Sequence, residues 1–190
     1  AEKMLRNQAE HYEKHHSLGI DDAVFAEAIK LAKRFIKDRK LPDSAIDLLD
    51  RTLAVSRMMT DTASQDVEKF TAKLSEIKAD ATDEEFRWLY HEAQTGFSPV
   101  LLARHNEEKE FNKIIDQAEM RGYLTTMFES LTVIASTEKK QIDTTDLSAV
   151  VANITGIPLG KIQTKEQQRL VTMEDHLRQR VIGHDHALKT

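Results

Sequence analysis

Few residue types in this chain stand at spacings that support chemistry. His11 and His15 lie at i and i+4, where two imidazoles on one helical face hold zinc in metallohydrolase helices. That chemistry needs a Glu directly after the first His, and Tyr12 stands there instead. Surface or packing histidines are the better account. His184, Asp185 and His186 form a second His/Asp group, read as a polar chain end rather than a metal site. The carboxylates are plentiful but interleaved with cations, as in Glu107, Glu108 and Glu110 beside Lys109 and Lys113, so solvated helix faces explain them. The pattern G-x-x-x-x-G-K-S/T does not occur, nor does an apolar strand ending in paired acids. Without a backbone cradle for phosphate and acids for magnesium, this chain is not expected to hydrolyse ATP by itself.

The elements that position these residues read as helices. Hydrophobic residues make up 40% of the 190 and charged residues 31%, while 6 Gly and 3 Pro leave little for turns. Leu5, Ala9 and Tyr12 mark a first helix over residues 1–16, with Gly19 ending the segment. A second begins at Asp21 or Asp22 and turns Phe25, Ala28, Ile29, Ala32, Phe35 and Ile36 to one side. A third starts near Pro42, because a proline is tolerated in the first turn, and carries Ala45, Ile46, Leu48, Leu49 and Leu53. No breaker follows. From Ala63 its apolar residues fall into a heptad seam, Val67, Phe70, Leu74, Ile77 and Ala81, too short for a free coiled coil and expected to pack on neighbouring helices. Phe70, Leu74 and Ile77 are read as either a regulatory contact surface or core.

Thr82 and Glu85 make a capping box for a helix with Phe86, Leu89, Tyr90 and Ala93, ending at Gly96. Ser98 and Pro99 restart the chain, followed by the apolar groups Val100–Leu102 and Phe111, Ile114, Ile115 and Ala118. Gly122 is expected as a stop before the most hydrophobic helix, Tyr123 to Ala135. Asp143 and Thr144 cap a short helix closed by Gly156 and Pro158, and Thr164 and Gln167 open a last one through Leu170, Met173, Leu177 and Val181. The expected fold class is therefore all-α, with antiparallel helices between Ala63 and Ala135.

Composition bounds the function. A net charge of -5 and a pI near 5.9 argue against nucleic-acid binding. No apolar run approaches membrane-spanning length, and no Cys is present, which suits a reducing, cytoplasmic setting.

Three separated stretches resemble one family. DR-x-LPD-x-AIDLLD, from Asp38 to Asp50, with Tyr12, Glu13, His15, His16 and Asp22 upstream, is similar to the close of the small helical subdomain in the first ATPase module of the Clp family of AAA+ unfoldases. VANITGIPL, from Val151 to Leu159, looks like that family's linker to its second module, with Ile154 where a Trp is usual. MEDHLRQRVIGHDHA, from Met173 to Ala187, looks like the second module's opening.

The resemblance implies a lid subdomain over 1–60, a regulatory middle domain of coiled-coil-like antiparallel helices over 61–142, and a linker with the start of the second module over 143–190. It places Leu41, Pro42 and Asp43 against the adenine of the first module and Val181, Ile182 and Gly183 against that of the second; the usual Lys and Gln are Ser44 and His184 here. The middle segment, roughly 80 to 90 residues on these boundaries, lies between the short ClpC and long ClpB types. The implied parent is a homo-hexameric ring that uses ATP/ADP with Mg to pull unfolded or aggregated proteins through a pore. Its expected partners are an adaptor or co-chaperone at the middle domain and a protease. Nucleotide is not expected on this chain alone. The rival reading is a helical scaffold or adaptor with no nucleotide-linked role.

Overall fold

The computed structural model describes residues 1–78, 81–105 and 110–163. Seven α-helices appear among them: α1 (Glu2–His16), α2 (Asp22–Phe35), α3 (Asp43–Glu76), α4 (Asp83–Gly96), α5 (Pro99–Leu102), α6 (Gln117–Ser136) and α7 (Thr144–Thr155). A 3-10 turn spans Phe111–Lys113, and two short strands, β1 (Gly19–Ile20) and β2 (Gln141–Ile142), complete the fold. The expected all-α class holds.

Side-chain and glycine caps account for several of the helix ends. Asp21 accepts from the Ala23 amide at 2.9 Å to start α2. Glu85 takes the Thr82 amide at 2.7 Å in the anticipated capping box of α4. Asp143 caps α7 through the Thr145 and Asp146 amides at 2.9 and 3.2 Å, and Asp146 returns the contact at 2.9 Å. Gly156 closes α7 at φ 70, the left-handed conformation that glycine adopts at no steric cost. The C-terminus of α3 is closed from outside: the Arg121 guanidinium of α6 donates to the carbonyls of Leu74, Ile77 and Lys78, the orphan acceptors of a helix end.

Two expectations need correction. Helix α1 keeps the expected bounds, but Ser17 in the left-handed conformation ends it, and Gly19 belongs to β1. Gly122 does not stop a helix; α6 runs through it, because Met120 and Leu124 on either side are both fully buried and their packing outweighs one glycine's poor propensity. Of the apolar group, Phe111 opens a 3-10 turn, Ile114 and Ile115 follow outside any helix with Ile115 82% exposed, and Ala118 falls in the first turn of α6. The last expected helix, from Thr164, lies outside the described residues.

Helix α3 organises the packing. Along its N-terminal half it meets α1, where His16 Nε2 and Asp50 Oδ1 are 2.8 Å apart. Along its C-terminal half it pairs with α4 and, most extensively, α6. Arg121 lies by Ile77 and Phe128 by Phe70, so α3 and α6 run antiparallel, as expected. Phe70, Phe97 and Phe128 form the centre of that bundle with centroids 4.7 to 6.3 Å apart, and Tyr90 stacks on Phe111 at 4.3 Å. Phe70 and Leu74 are buried core residues, while Ile77 is half-buried, packed against the core with part of its side chain exposed.

The chain then returns to its start. β1 and β2 pair in parallel, Gly19 opposite Gln141 and Ile20 opposite Ile142, while α7 packs on α2, α3 and α5. A single hydrophobic cluster runs from Leu5 through the α3–α4–α6 bundle to Ile162.

Candidate functional site

Leu41, Pro42 and Asp43 lie together in one turn at the head of α3. Pro42 occupies the cap position with its carbonyl accepting from Ala45 and Ile46 at 3.0 and 3.1 Å, and the Leu41–Pro42 peptide is cis. Leu41 and Pro42 are half-buried and Asp43 is exposed. The turn is held from both sides: the Ser44 amide donates to the Lys40 carbonyl at 3.1 Å, and Arg39 pairs with Asp47 one turn into α3. Ser44, where the resemblance leads one to expect a Lys, is buried with no hydrogen-bond partner for its hydroxyl. Val181, Ile182 and Gly183, the other expected nucleotide contacts, lie outside the described residues.

The upstream residues that carried the resemblance brace this end of α3. Glu13 accepts from the Ile20 amide at 2.9 Å and so fixes β1 to α1. His16 reaches Asp50. Tyr12 is half-buried beside α3; burial first, then the carboxylates of Asp50 and Asp47, push its phenol above the ordinary range. His11 and His15 are exposed, and no group of three His, Cys, Asp or Glu able to hold a metal occurs among the described residues.

Sequence reasoning missed a second cluster. Asp146 is completely buried, where every acid was expected on a solvated face. It receives Lys139 at 2.7 Å and Arg104 at 2.8 Å, and Arg104 also reaches Asp143 at 2.8 Å. Burial works against ionised Asp143, but the hydrogen bond and charge of Arg104 outweigh it and hold the carboxyl below the usual range. The same pairing overcomes the burial of Arg104 and raises its pKa. These four residues join the loop after α5 to β2 and α7. Some 40 positions separate Arg104 from its acids, so no local pattern announces them.

The model of the AAA lid domain matches residues 1–95, half of the chain. The chain belongs to the AAA lid domain family. It is 28% identical to the chaperone protein ClpB of Bacteroides thetaiotaomicron, 28% to the negative regulator of genetic competence ClpC/MecB of Bacillus subtilis, and 28% to the ATP-dependent Clp protease ATP-binding subunit ClpC of Staphylococcus aureus. Each match covers 98% of this chain, so the resemblance to Clp-family AAA+ proteins extends through the α4–α6 bundle and beyond the lid. The chain spans 27% of the ClpB relative and 21% of each ClpC relative. Its alignment with ClpB runs over 238 positions, more than its own 190 residues, whereas those with ClpC take 186 and 189. The ClpB relative thus carries residues that this lid-bearing chain lacks. No described helix is long and apolar enough to cross a membrane.

Proposed function

We propose that this chain is the lid and middle portion of a Clp-type ring ATPase that unfolds proteins, and that it transmits nucleotide state rather than hydrolysing nucleotide. The observation that carries this reading is similarity to ClpB and ClpC over 98% of the chain, joined to the AAA lid match at the Leu41–Pro42–Asp43 end. Leu41 and Pro42 offer half-buried apolar surface, suited to the flat face of an adenine. The same role at a second nucleotide falls to Val181, Ile182 and Gly183. The turn's residues fit a base and not phosphates: the acid Asp43 stands exposed beside them, and the phosphates with Mg belong to a P-loop and acids elsewhere in the parent.

Transmission follows from α3. Its 34 residues make a rod of about 50 Å, rigid because it is packed on α1 at one end and on α4 and α6 at the other. A tilt at Leu41 and Pro42 therefore reaches the α4–α6 bundle as a displacement instead of dissipating in loops. On this reading residues 1–60 form the lid, 61–142 the regulatory middle domain, and 143–190 the linker and entry to a second module. The parent is a cytoplasmic homo-hexamer acting on unfolded or aggregated chains, with an adaptor at the middle domain. The alignment lengths favour a middle domain of ClpC size, and with it a protease partner.

The test is the coding sequence on either side. A P-loop and an acidic strand upstream of residue 1, and a second set downstream of residue 190, are expected. Their absence would leave a helical scaffold as the reading.

A further inference from the structure

The chain's single tryptophan, Trp88 of α4, is 63% exposed. An indole of that size is ordinarily spent inside a core or an interface. Trp88 forms one wall of a groove of about 670 Å³ between the end of α3 and the first turns of α4. Buried Leu89 and half-buried Ile77 give the groove an apolar floor. Its rim is acidic: Glu76 and Glu84 are exposed there and hold no hydrogen bond or ion pair among the described residues, whereas Glu85 is engaged with the Thr82 amide.

The groove's own lysine shows what the indole accepts. Lys73 Nζ stands 5.6 Å from the Trp88 ring centroid, and its charge is neutralised by Glu92. Two unpaired carboxylates beside an exposed indole remain. The ring quadrupole and the carboxylate field both favour a cation and both repel an anion. Arginine suits the site best, since its planar head stacks on an aromatic face while its donors reach carboxylates.

We propose that this groove docks a basic segment of a partner polypeptide, an arginine side chain lying over Trp88 and Ile77 with its guanidinium toward Glu76 and Glu84. The proposal names the partner chemistry of the middle-domain surface and rests on the ring-ATPase reading for its biological role, though not for the binding itself.

The full chain titrated with a tri-arginine peptide, followed through Trp88 emission, tests this, with a tri-glutamate peptide as control. A saturable change with tri-arginine alone is expected, weakened at least about tenfold by E76Q/E84Q together and by raised salt. Trp88→Ala, followed by calorimetry, should lose binding with circular dichroism unchanged, since all three side chains are exposed. No saturable binding, equal binding of tri-glutamate, or an affinity indifferent to E76Q/E84Q would overturn the proposal. So would an emission change with protein concentration alone alongside a dimer in sedimentation, which would make a second copy the occupant. Failure here leaves the full-length protein's ATPase untouched, whereas failure of the ring reading leaves peptide binding intact.

Discussion

Asp146 is the residue on which the most depends. Its carboxylate is fully buried and satisfied by Lys139, itself almost buried, by Arg104 and by the Asp143 amide. Removing one member of such a group leaves uncompensated charge in the interior. Asp146→Ala should therefore cost about 3–5 kcal/mol in urea unfolding, more than any substitution of an exposed acid such as Glu84. Asp143, half-buried, contributes to the pH dependence. Its folded pKa is depressed, so its contribution is complete above the ordinary carboxylate range near ~4 and drains away as pH falls through the lower folded value. Asp143→Asn keeps a capping side chain and should flatten that part of the acid limb in a pH series of thermal melts. Asp143 was legible as the cap of α7 but the ion cluster was not, because Arg104 and Asp146 look like members of ordinary polar faces. The residues Glu13, His16 and Asp50 were legible, but as a family signature and not as the braces they form.

At the scale of elements, two glycines separate packing from propensity. A Cβ on Gly96, the last residue of α4, would stand 2.7 Å from Phe70 Cζ in the centre of the aromatic cluster. Gly96→Ala should cost about 1–3 kcal/mol through overpacking. Gly122 lies inside α6 with nothing within 4 Å of its missing Cβ. Gly122→Ala should instead stabilise by roughly 0.5–1 kcal/mol, read as a higher midpoint in the same urea titration. Helix existence was plain from periodicity in α2, α3, α4, α6 and α7, and the caps at Asp21, Thr82 and Asp143 located their starts. Stops were less legible. Ser17 ends α1 through a left-handed conformation that serine seldom adopts, and α6 passes Gly122 because long-range burial of Met120 and Leu124 decides the matter.

Over the whole molecule, the return of the chain matters most. β2 and α7 come back to β1, α2 and α3, so the residues from Asp21 to Lys140 form one excursion whose ends are pinned together. The long helix α3 belongs to both the lid and the bundle, and one core serves the two. Sequence periodicity announced the helices on both sides of this excursion but not its closure, because two-residue strands carry no pattern and a pairing across about 120 positions has no local signal. The family was legible through LPD-x-AIDLLD and its companions, and the turn they mark sits at the head of α3, the helix on which the others pack. In the proposed function this turn meets a nucleotide held by the rest of the ring ATPase. The most direct test of that contact is the affinity of the full-length protein for a fluorescent ADP analogue with Leu41→Asp beside the unchanged protein, helicity being checked by circular dichroism. A loss of about tenfold or more in affinity with helicity retained is the expected result; an unchanged affinity would exclude Leu41 from the nucleotide contact.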